Sequence, residues 1–530
     1  MTARAVRDAA MRWVADDPDP ATRTSLQQLV AAAMAGTPGA DDELADLMRA
    51  PLRFGTAGLR GPVRAGPAGM NVAVVRRTTA ALAEWLRRNG HAGATVVVGR
   101  DARHGSAEFA AAAAGVLGAA GFDAVALPGA SPTPLLAFAV RHLGAVAGVA
   151  VTASHNPASD NGYKVYLGDG AQLVPPVDAE IEALTEQVGA AVAIPAEGRV
   201  REVDPLQPYL ARVAGLPVGG ARDLRIALTP LHGVGGAAAV QALALAGFTD
   251  VHVVASQAVP DPDFPTVHSP NPEHPGTTDA LLTLAASVDA DLAVALDPDA
   301  DRCALGVRDG RAGPGGWRML TGDETGVLLG DHVLRGSREP APLVATTVVS
   351  SSMLRGVAAA HGARFAETLT GFKWIVRAGE GLVYGYEEAL GYCVDPDAVR
   401  DKDGIAAAVV AADLAATLRS AGSSLPARLD ELAAAHGVHV TAQVTVPFDG
   451  CALPALFGAP PVGWDVERPA PDVLVLRRGG ERVVVRPSGT EPILKTYLEV
   501  VEPPDVDVTA ARARAAARLE TLTAQAREWR

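Results

Sequence analysis

Lysine is almost missing from this sequence of 530 residues: it stands only at Lys164, Lys373, Lys402 and Lys495, while the other 42 basic residues are arginine. A composition that puts arginine wherever any cation serves marks its few lysines as places where guanidinium fails, because a compact ammonium can lose its proton on burial and arginine cannot. Cysteine is scarce too. Cys303, Cys393 and Cys451 are scattered, which excludes a disulfide framework and gives no metal-binding spacing. Positive charge is in deficit, with 46 Lys+Arg against 60 Asp+Glu and a net charge of −14. That balance argues against nucleic acid, whose affinity comes from clustered cations. Long unbroken apolar runs are also lacking: the least polar stretch, AVALPGASPTPLLAFAV at 124–140, carries three prolines and makes no spanning helix. The start, MTARAVRDAAMRWVADDPDP, has no apolar core of a secretory signal. The expectation is a soluble cytoplasmic protein with no membrane partner. No heptad or apolar stripe indicates an oligomeric state.

What is present is a recurring alternation. With 48% hydrophobic residues the chain can fill several cores, and its length implies three or four domains. ATVVVGRD (94–101) reads as a buried strand and SAEFAAAAAGVLGAAGF as an Ala-rich helix closed by glycine. DLRIALTPLHG (223–233) with GGAAAVQALALAG repeats the unit, and ADLAVALDPDADR (290–302) and LVATTVVSS (343–351) open further rounds. Strands joined by helices favour parallel sheets, whose ligand sites gather at strand carboxyl ends. Polar or proline-rich stretches near 196–208, 307–321 and 437–448 read as junctions, giving domains 1–205, 206–318, 319–437 and 438–530. The last has another texture: VLVLRRGGERVVVRPSGTEP predicts a hairpin about Gly479 and Gly480, hence an α+β unit.

Three motifs carry chemistry. TASHNP (152–157) ends an apolar strand with Ser154 and His155 on a turn. DPDADR (297–302) places Asp297, Asp299 and Asp301 at alternate positions of one loop, able to converge on a hard cation such as Mg2+; the longer ligand series of an EF-hand is missing. RPSGTEP (486–492) offers the Arg486 fork, the Ser488 and Thr490 hydroxyls and the backbone of Gly489, a set suited to a phosphate dianion.

With RFGTAGLRG (53–61), DNGYKVY (160–166), TGFKW (370–374) and GYEEALGY (385–392), these motifs make nearly the whole chain resemble the α-D-phosphohexomutase family of phosphoglucomutases and phosphomannomutases. The spellings GTAGLRG, DNGYKVY and GYEEALGY look most like its branch of glucose- and pentose-phosphate mutases. The resemblance implies three consecutive α/β domains with mixed, largely parallel sheets and a C-terminal α+β domain around a central cleft. It implies a phosphorylated Ser154 that, with the three aspartates, holds Mg2+. A sugar 1,6-bisphosphate would be the activator and sugar phosphates the small-molecule partners. Glu387 and Glu388 would read the sugar, while Arg486, Ser488, Gly489 and Thr490 would hold the phosphate that does not react. Arg60 and Arg302 would steady the transferring group, Lys164 and Lys373 would serve proton transfer or the leaving oxygen, and His155 would orient its neighbours. Lys402, in RDKDG, should tolerate substitution better than Lys373 if it is mainly structural.

The implied activity interconverts sugar 1-phosphate and 6-phosphate, with glucose the first choice of sugar and phosphomannomutase or phosphopentomutase activity the alternatives. One departure bears on that choice: hexose-specific relatives read like GEES in the sugar loop, and here Ala389 stands at the serine. A Mg2+-dependent phosphatase of another fold would make the serine turn superfluous. A catalytically silent sugar-phosphate sensor would have lost the serine or an aspartate.

Overall fold

Short runs of Val, Ile, Leu and Ala alternate with Ala-rich segments in the computed structural model, which describes residues 2–55, 58–310, 316–448, 455–488 and 493–529. The apolar runs become central strands because both faces are covered by helices, so no polar alternation is needed. Thr95–Arg100 lies between Ala147–Val151 and Asp123–Ala126, parallel to both. Val200–Glu202 extends this first sheet in parallel on one side, and Asp160–Leu167 and Leu59–Pro62 extend it antiparallel on the other.

The second sheet runs Trp317–Met319, Cys303–Arg308, Leu292–Leu296, Arg225–Thr229, Asp250–Val253, its last two pairings parallel. The third runs Arg364–Thr368, Leu343–Thr347, Leu382–Glu387, Gly391–Cys393, with only the last pairing antiparallel. The fourth is wholly antiparallel: Val438–Pro447, Ile493–Glu502, Glu481–Pro487, Val473–Arg478, Asp465–Ala470, backed by the helix Val508–Glu528. Three α/β units and a C-terminal α+β unit are therefore what the strand patterns predicted. The hairpin turns at Gly479 and Gly480, which have φ of 52° and 81°. Where the chain is best cut into domains stays a proposal, at about 205, 318 and 437.

The stretch 437–448 is strand rather than loop. Its residues Val438, Val440, Val444 and Val446 alternate with His439, Thr441, Gln443 and Thr445, a period-two pattern that pairs along its whole length with Ile493–Glu502. Part of 307–321 is likewise strand, since Trp317–Met319 closes the edge of the second sheet. The N-terminal stretch folds as three helices, Ala3–Asp16, Pro20–Met34 and Ala40–Leu47, around Trp13, Val14, Leu26, Val30 and Leu44. An Asp16–Arg77 ion pair and the stacking of Arg77 on Trp13 at 4.9 Å dock them on the first unit.

The helix Gly404–Ser420 follows the third sheet in sequence, yet it packs on helix Gly236–Leu245 and strand Leu292–Leu296 of the second unit as well as on helix Gly322–Gly336. Residues Gly404 to Ala416 are all buried. Asp403 caps its start by accepting from the Ala406 N–H at 2.8 Å. Gly404 sits so close to the second unit that a Cβ would fall 2.3 Å from the Arg302 carbonyl oxygen. Among the described residues no single helix is long and apolar enough to cross a membrane.

Candidate active site

Ser154 follows the all-buried strand Ala147–Val151, and its backbone turns through φ 54°, an uncommon conformation for a residue other than glycine. The turn aims the side chain out of the first unit toward the second. The Ser154 hydroxyl donates to Asp297 Oδ2 at 2.8 Å and accepts from Arg302 at 2.9 Å. Thr152, the nearest alternative hydroxyl, is committed to the Ser154 backbone N–H at 2.9 Å.

Asp297, Asp299 and Asp301 are almost completely buried, and a carboxylate oxygen of each lies within 4.8 Å of the others. Alternate positions converge here because the strand Leu292–Leu296 ends in a tight turn with Ala300 at φ 55°. Lys164, from the antiparallel strand Asp160–Leu167, reaches Asp299 Oδ2 at 2.7 Å and Asp301 Oδ2 at 3.0 Å. Thr133 donates to Asp299 Oδ2 at 2.7 Å. Asp299 Oδ1 and Asp301 Oδ1 remain buried without a hydrogen-bond partner.

Burial, followed by repulsion from Asp299 and Asp301, pushes the Asp297 carboxyl well above its ordinary range. For Asp301 burial acts the same way, but Lys164, Lys402 and Arg302 overcome it and hold the carboxyl well below that range. Two orphaned oxygens beside a carboxylate that cannot stay charged unaided are what an oxygen-seeking dication would satisfy, so the residues fit Mg2+.

Arg302 joins the groups. It lies 3.6 Å from Glu387 Oε1, donates through Nε to the Ala389 carbonyl at 2.8 Å and meets His155 Nδ1 at 2.5 Å. Burial, with Arg302 and Arg60 nearby, lowers the His155 imidazole well below its ordinary value. His155 is thus a neutral acceptor for Arg302. Arg60, opposite Gly162 in the antiparallel pair, donates to Asn156 Oδ1 at 3.2 Å and leaves its Nε buried without a partner.

The structure gathers Ser154, His155, Lys164, Arg60, Arg302, Glu387 and the three aspartates. Glu388 points another way: it accepts from Thr347 at 3.2 Å and Ser350 at 3.1 Å, and burial together with the Glu387 and Asp323 charges raises it to about 7. It lines a cavity of about 360 Å3 shared with Glu273 and Tyr497. Arg486 stands opposite Lys495 on the fourth sheet and bonds the Tyr497 hydroxyl. The Ser488 backbone N–H donates to the Ile493 carbonyl at 2.8 Å. Gly489 and Thr490 lie outside the described residues. Lys373 is apart from the aspartates; burial lowers its amine, and the charges acting on it are Asp178 and Arg377.

Two residues were missed. Lys402 lies 3.3 Å from Asp301 Oδ2 and 3.2 Å from Asp401 Oδ1, so it belongs to the aspartate cluster. The scarcity of lysine already marked it. Arg103, in RDARHG, is buried behind the serine turn, and nothing in an arginine-rich sequence distinguishes it.

Four family models match successive parts of the chain: phosphoglucomutase/phosphomannomutase alpha/beta/alpha domain I over 51–191, domain II over 207–310, domain III over 321–436 and the C-terminal domain over 451–516. The chain is 38% identical over 472 residues to a protein named "Probable phosphomannomutase" from Haemophilus influenzae, covering 83% of this chain and 95% of that protein. It is 31% identical over 577 residues to phosphopentomutase from Mus musculus, covering 95% and 91%. Among solved structures, a phosphoglucomutase/phosphomannomutase family protein from Burkholderia thailandensis superposes with a TM-score of 0.69 at 21% identity, covering 88% of this chain and 97% of that one.

Proposed function

Since the chain belongs to the phosphoglucomutase/phosphomannomutase family and is a phosphosugar mutase, we propose that it interconverts glucose 1-phosphate and glucose 6-phosphate through a phosphorylated Ser154. The observation that carries this reading is the Ser154 hydroxyl 2.8 Å from Asp297 Oδ2, on a strained turn facing three buried aspartates. In the reaction a sugar hydroxyl oxygen forms a bond to phosphorus as the Ser154 Oγ–P bond breaks, giving a sugar 1,6-bisphosphate. After the sugar turns over, the other phosphoryl group returns to Ser154 and the isomeric monophosphate leaves. The same bisphosphate, supplied free, charges an unphosphorylated enzyme and so acts as activator.

Ser154, Asp297, Asp299 and Asp301 would hold Mg2+, which when bound supplies positive charge against a phosphoserine of about −2. The chain's own cations do the rest. Arg302 and Arg60 face the serine turn, where a group in transit needs positive charge in a fixed place. Lys164, tied between two carboxylates, keeps the aspartates in register. Lys373, whose amine burial makes easier to deprotonate, is the lysine suited to carry a proton. Glu387 would accept sugar hydroxyls, and Arg486 with the 488–490 loop would hold the resting phosphate.

A pentose 1-phosphate is a second reading. Ala389 supplies no side-chain hydrogen bond where a serine would, and the mouse phosphopentomutase aligns over 95% of this chain. A site without the partner discriminates by only about 1–3 kcal/mol at that hydroxyl. Two measurements test the function. Labelled glucose 1,6-bisphosphate should leave acid-stable label on Ser154 of the wild type and none on Ser154→Ala. A panel of glucose, mannose and ribose 1-phosphates should give kcat/KM values within about a hundredfold of one another. Wild-type turnover by Ser154→Ala removes the phosphoserine route; a preference above about ten-thousandfold for one sugar removes the relaxed selection.

A further inference from the structure

We propose that Arg103 is a positioning residue that locks Ser154 in its strained, transfer-ready conformation and couples that turn to the unit carrying the aspartates. The inference rests on the phosphoserine role of Ser154 proposed above.

The turn from 154 to 160 folds four of its backbone carbonyls toward one point behind the active site, and the Arg103 guanidinium fills that point. It donates through one terminal nitrogen to the Ser154 and Asn156 carbonyls, each at 2.6 Å, and through the other to Pro157 at 2.7 Å and Asp160 at 3.1 Å. Its Nε lies 3.4 Å from Asp101 Oδ2, and both side chains are buried. Buried carbonyls need donors, and no other side chain offers several in a fixed plane. The first of these bonds is to the carbonyl of Ser154 itself, the residue held at φ 54°. Without that donor the buried Ser154 carbonyl loses its partner, and the left-handed conformation, disfavoured for a serine, loses one of the bonds that hold it.

The far face of the guanidinium is covered from the second unit. Phe264, itself buried with φ 48°, stacks on Arg103 at 5.0 Å, and the adjoining His104 meets Asp263 at 2.7 Å. Arg103 therefore spans the gap between the turn that carries the nucleophile and the unit that carries Asp297. A nucleophile a fraction of an ångström out of line loses rate without losing substrate affinity. That split is the signature of a positioning residue.

The experiment compares wild type, Arg103→Ala, Arg103→Lys and Phe264→Leu in three readouts: transfer of label from glucose 1,6-bisphosphate to Ser154, kcat and KM for glucose 1-phosphate, and thermal unfolding. Label transfer and kcat should fall at least about thirtyfold in both Arg103 variants while KM moves less than about threefold. Millimolar guanidinium should restore Arg103→Ala, and methylammonium should not, because only the planar fork serves four carbonyls. Phe264→Leu leaves every Arg103 hydrogen bond in place and guards against misfolding of the arginine variants. It should lower label transfer about three- to tenfold, more than any accompanying loss of folded protein accounts for. Wild-type labelling rates in Arg103→Ala, or losses in every variant that simply follow the folded fraction, overturn the clamp alone. Absence of label at Ser154 in the wild type overturns it together with the phosphoserine reading.

Discussion

The Lys164 ammonium lies 2.7 Å from Asp299 Oδ2, both groups almost wholly buried, and its position leaves the second oxygen of that carboxylate without a partner. A cation of the chain thus takes one oxygen of this aspartate, and under the proposed Mg2+ binding the other would remain for the metal. Replacing Lys164 with methionine strands buried negative charge, a change that costs about 3–5 kcal/mol when one partner of a buried pair is removed. The expected result is a lower melting temperature that Mg2+ raises by more than it raises wild type, read by scanning calorimetry with and without the metal. Equal Mg2+ shifts in the two proteins would show that Lys164 and the metal do not share these carboxylates.

Mg2+ binding should release protons. The metal-free Asp297 carboxyl is raised by burial and by its two aspartate neighbours, so it holds a proton at a pH where an ordinary carboxylate does not. A dication favours the carboxylate and expels that proton. Titration calorimetry in two buffers of different ionisation enthalpy should therefore give different apparent binding heats, and Asp297→Asn should abolish the difference. Buffer-independent heats in wild type would mean that Asp297 is already ionised.

The lysines should separate by kind of defect. Lys373 is an amine lowered by burial, so Lys373→Arg should cut kcat at least about tenfold through loss of an exchangeable proton. Burial works against the charge of Lys402 as well, but Asp301, Asp401 and Glu387 raise it, and it stays a fixed cation. Lys402→Met should show its effect in melting temperature and Mg2+ affinity. A Lys373→Arg enzyme with unchanged kcat would make that residue an electrostatic anchor.

Glu388 gives the stability a pH dependence of known sign. Its folded value of about 7 stands above its ordinary 4.5, so between those values the native state binds more protons than the unfolded chain. Its contribution is fully present below about 4.5 and lost as pH rises toward 7. Glu388→Gln should flatten this component of urea-unfolding free energy measured from pH 5 to 8. An identical pH profile in the variant would show that Glu388 does not carry it.

Legibility followed the range of the interactions. TASHNP and DPDADR announce themselves because each is a short polar interruption at the end of an apolar strand, and the structure brings the two together through hydrogen bonds of Ser154 with Asp297 and Arg302 and of His155 with Arg302. The 437–448 segment was legible as a junction but not as a strand, because threonine, glutamine and proline suggest a loop while the valines between them fit a half-buried strand. Lys402 was flagged by its rarity yet not placed in the site, since nothing local to RDKDG shows that it meets an aspartate 101 positions earlier at 3.3 Å. Arg103 was invisible for the opposite reason, one arginine among 42.

The helix Gly404–Ser420 makes the middle of the molecule indivisible. It is joined by peptide bonds to the third sheet, but a large part of its apolar surface is satisfied by the second unit, and Asp413 on it accepts from the Val218 and Gly219 N–H groups at 2.9 and 3.1 Å. A fragment cut at about 318 would leave one half with an uncovered sheet face and the other with a bare hydrophobic helix, so neither could be shuffled into another protein as a free-standing cassette. The second and third units consequently form a fused pair, and any rearrangement among the units has to be borne by the first and the last.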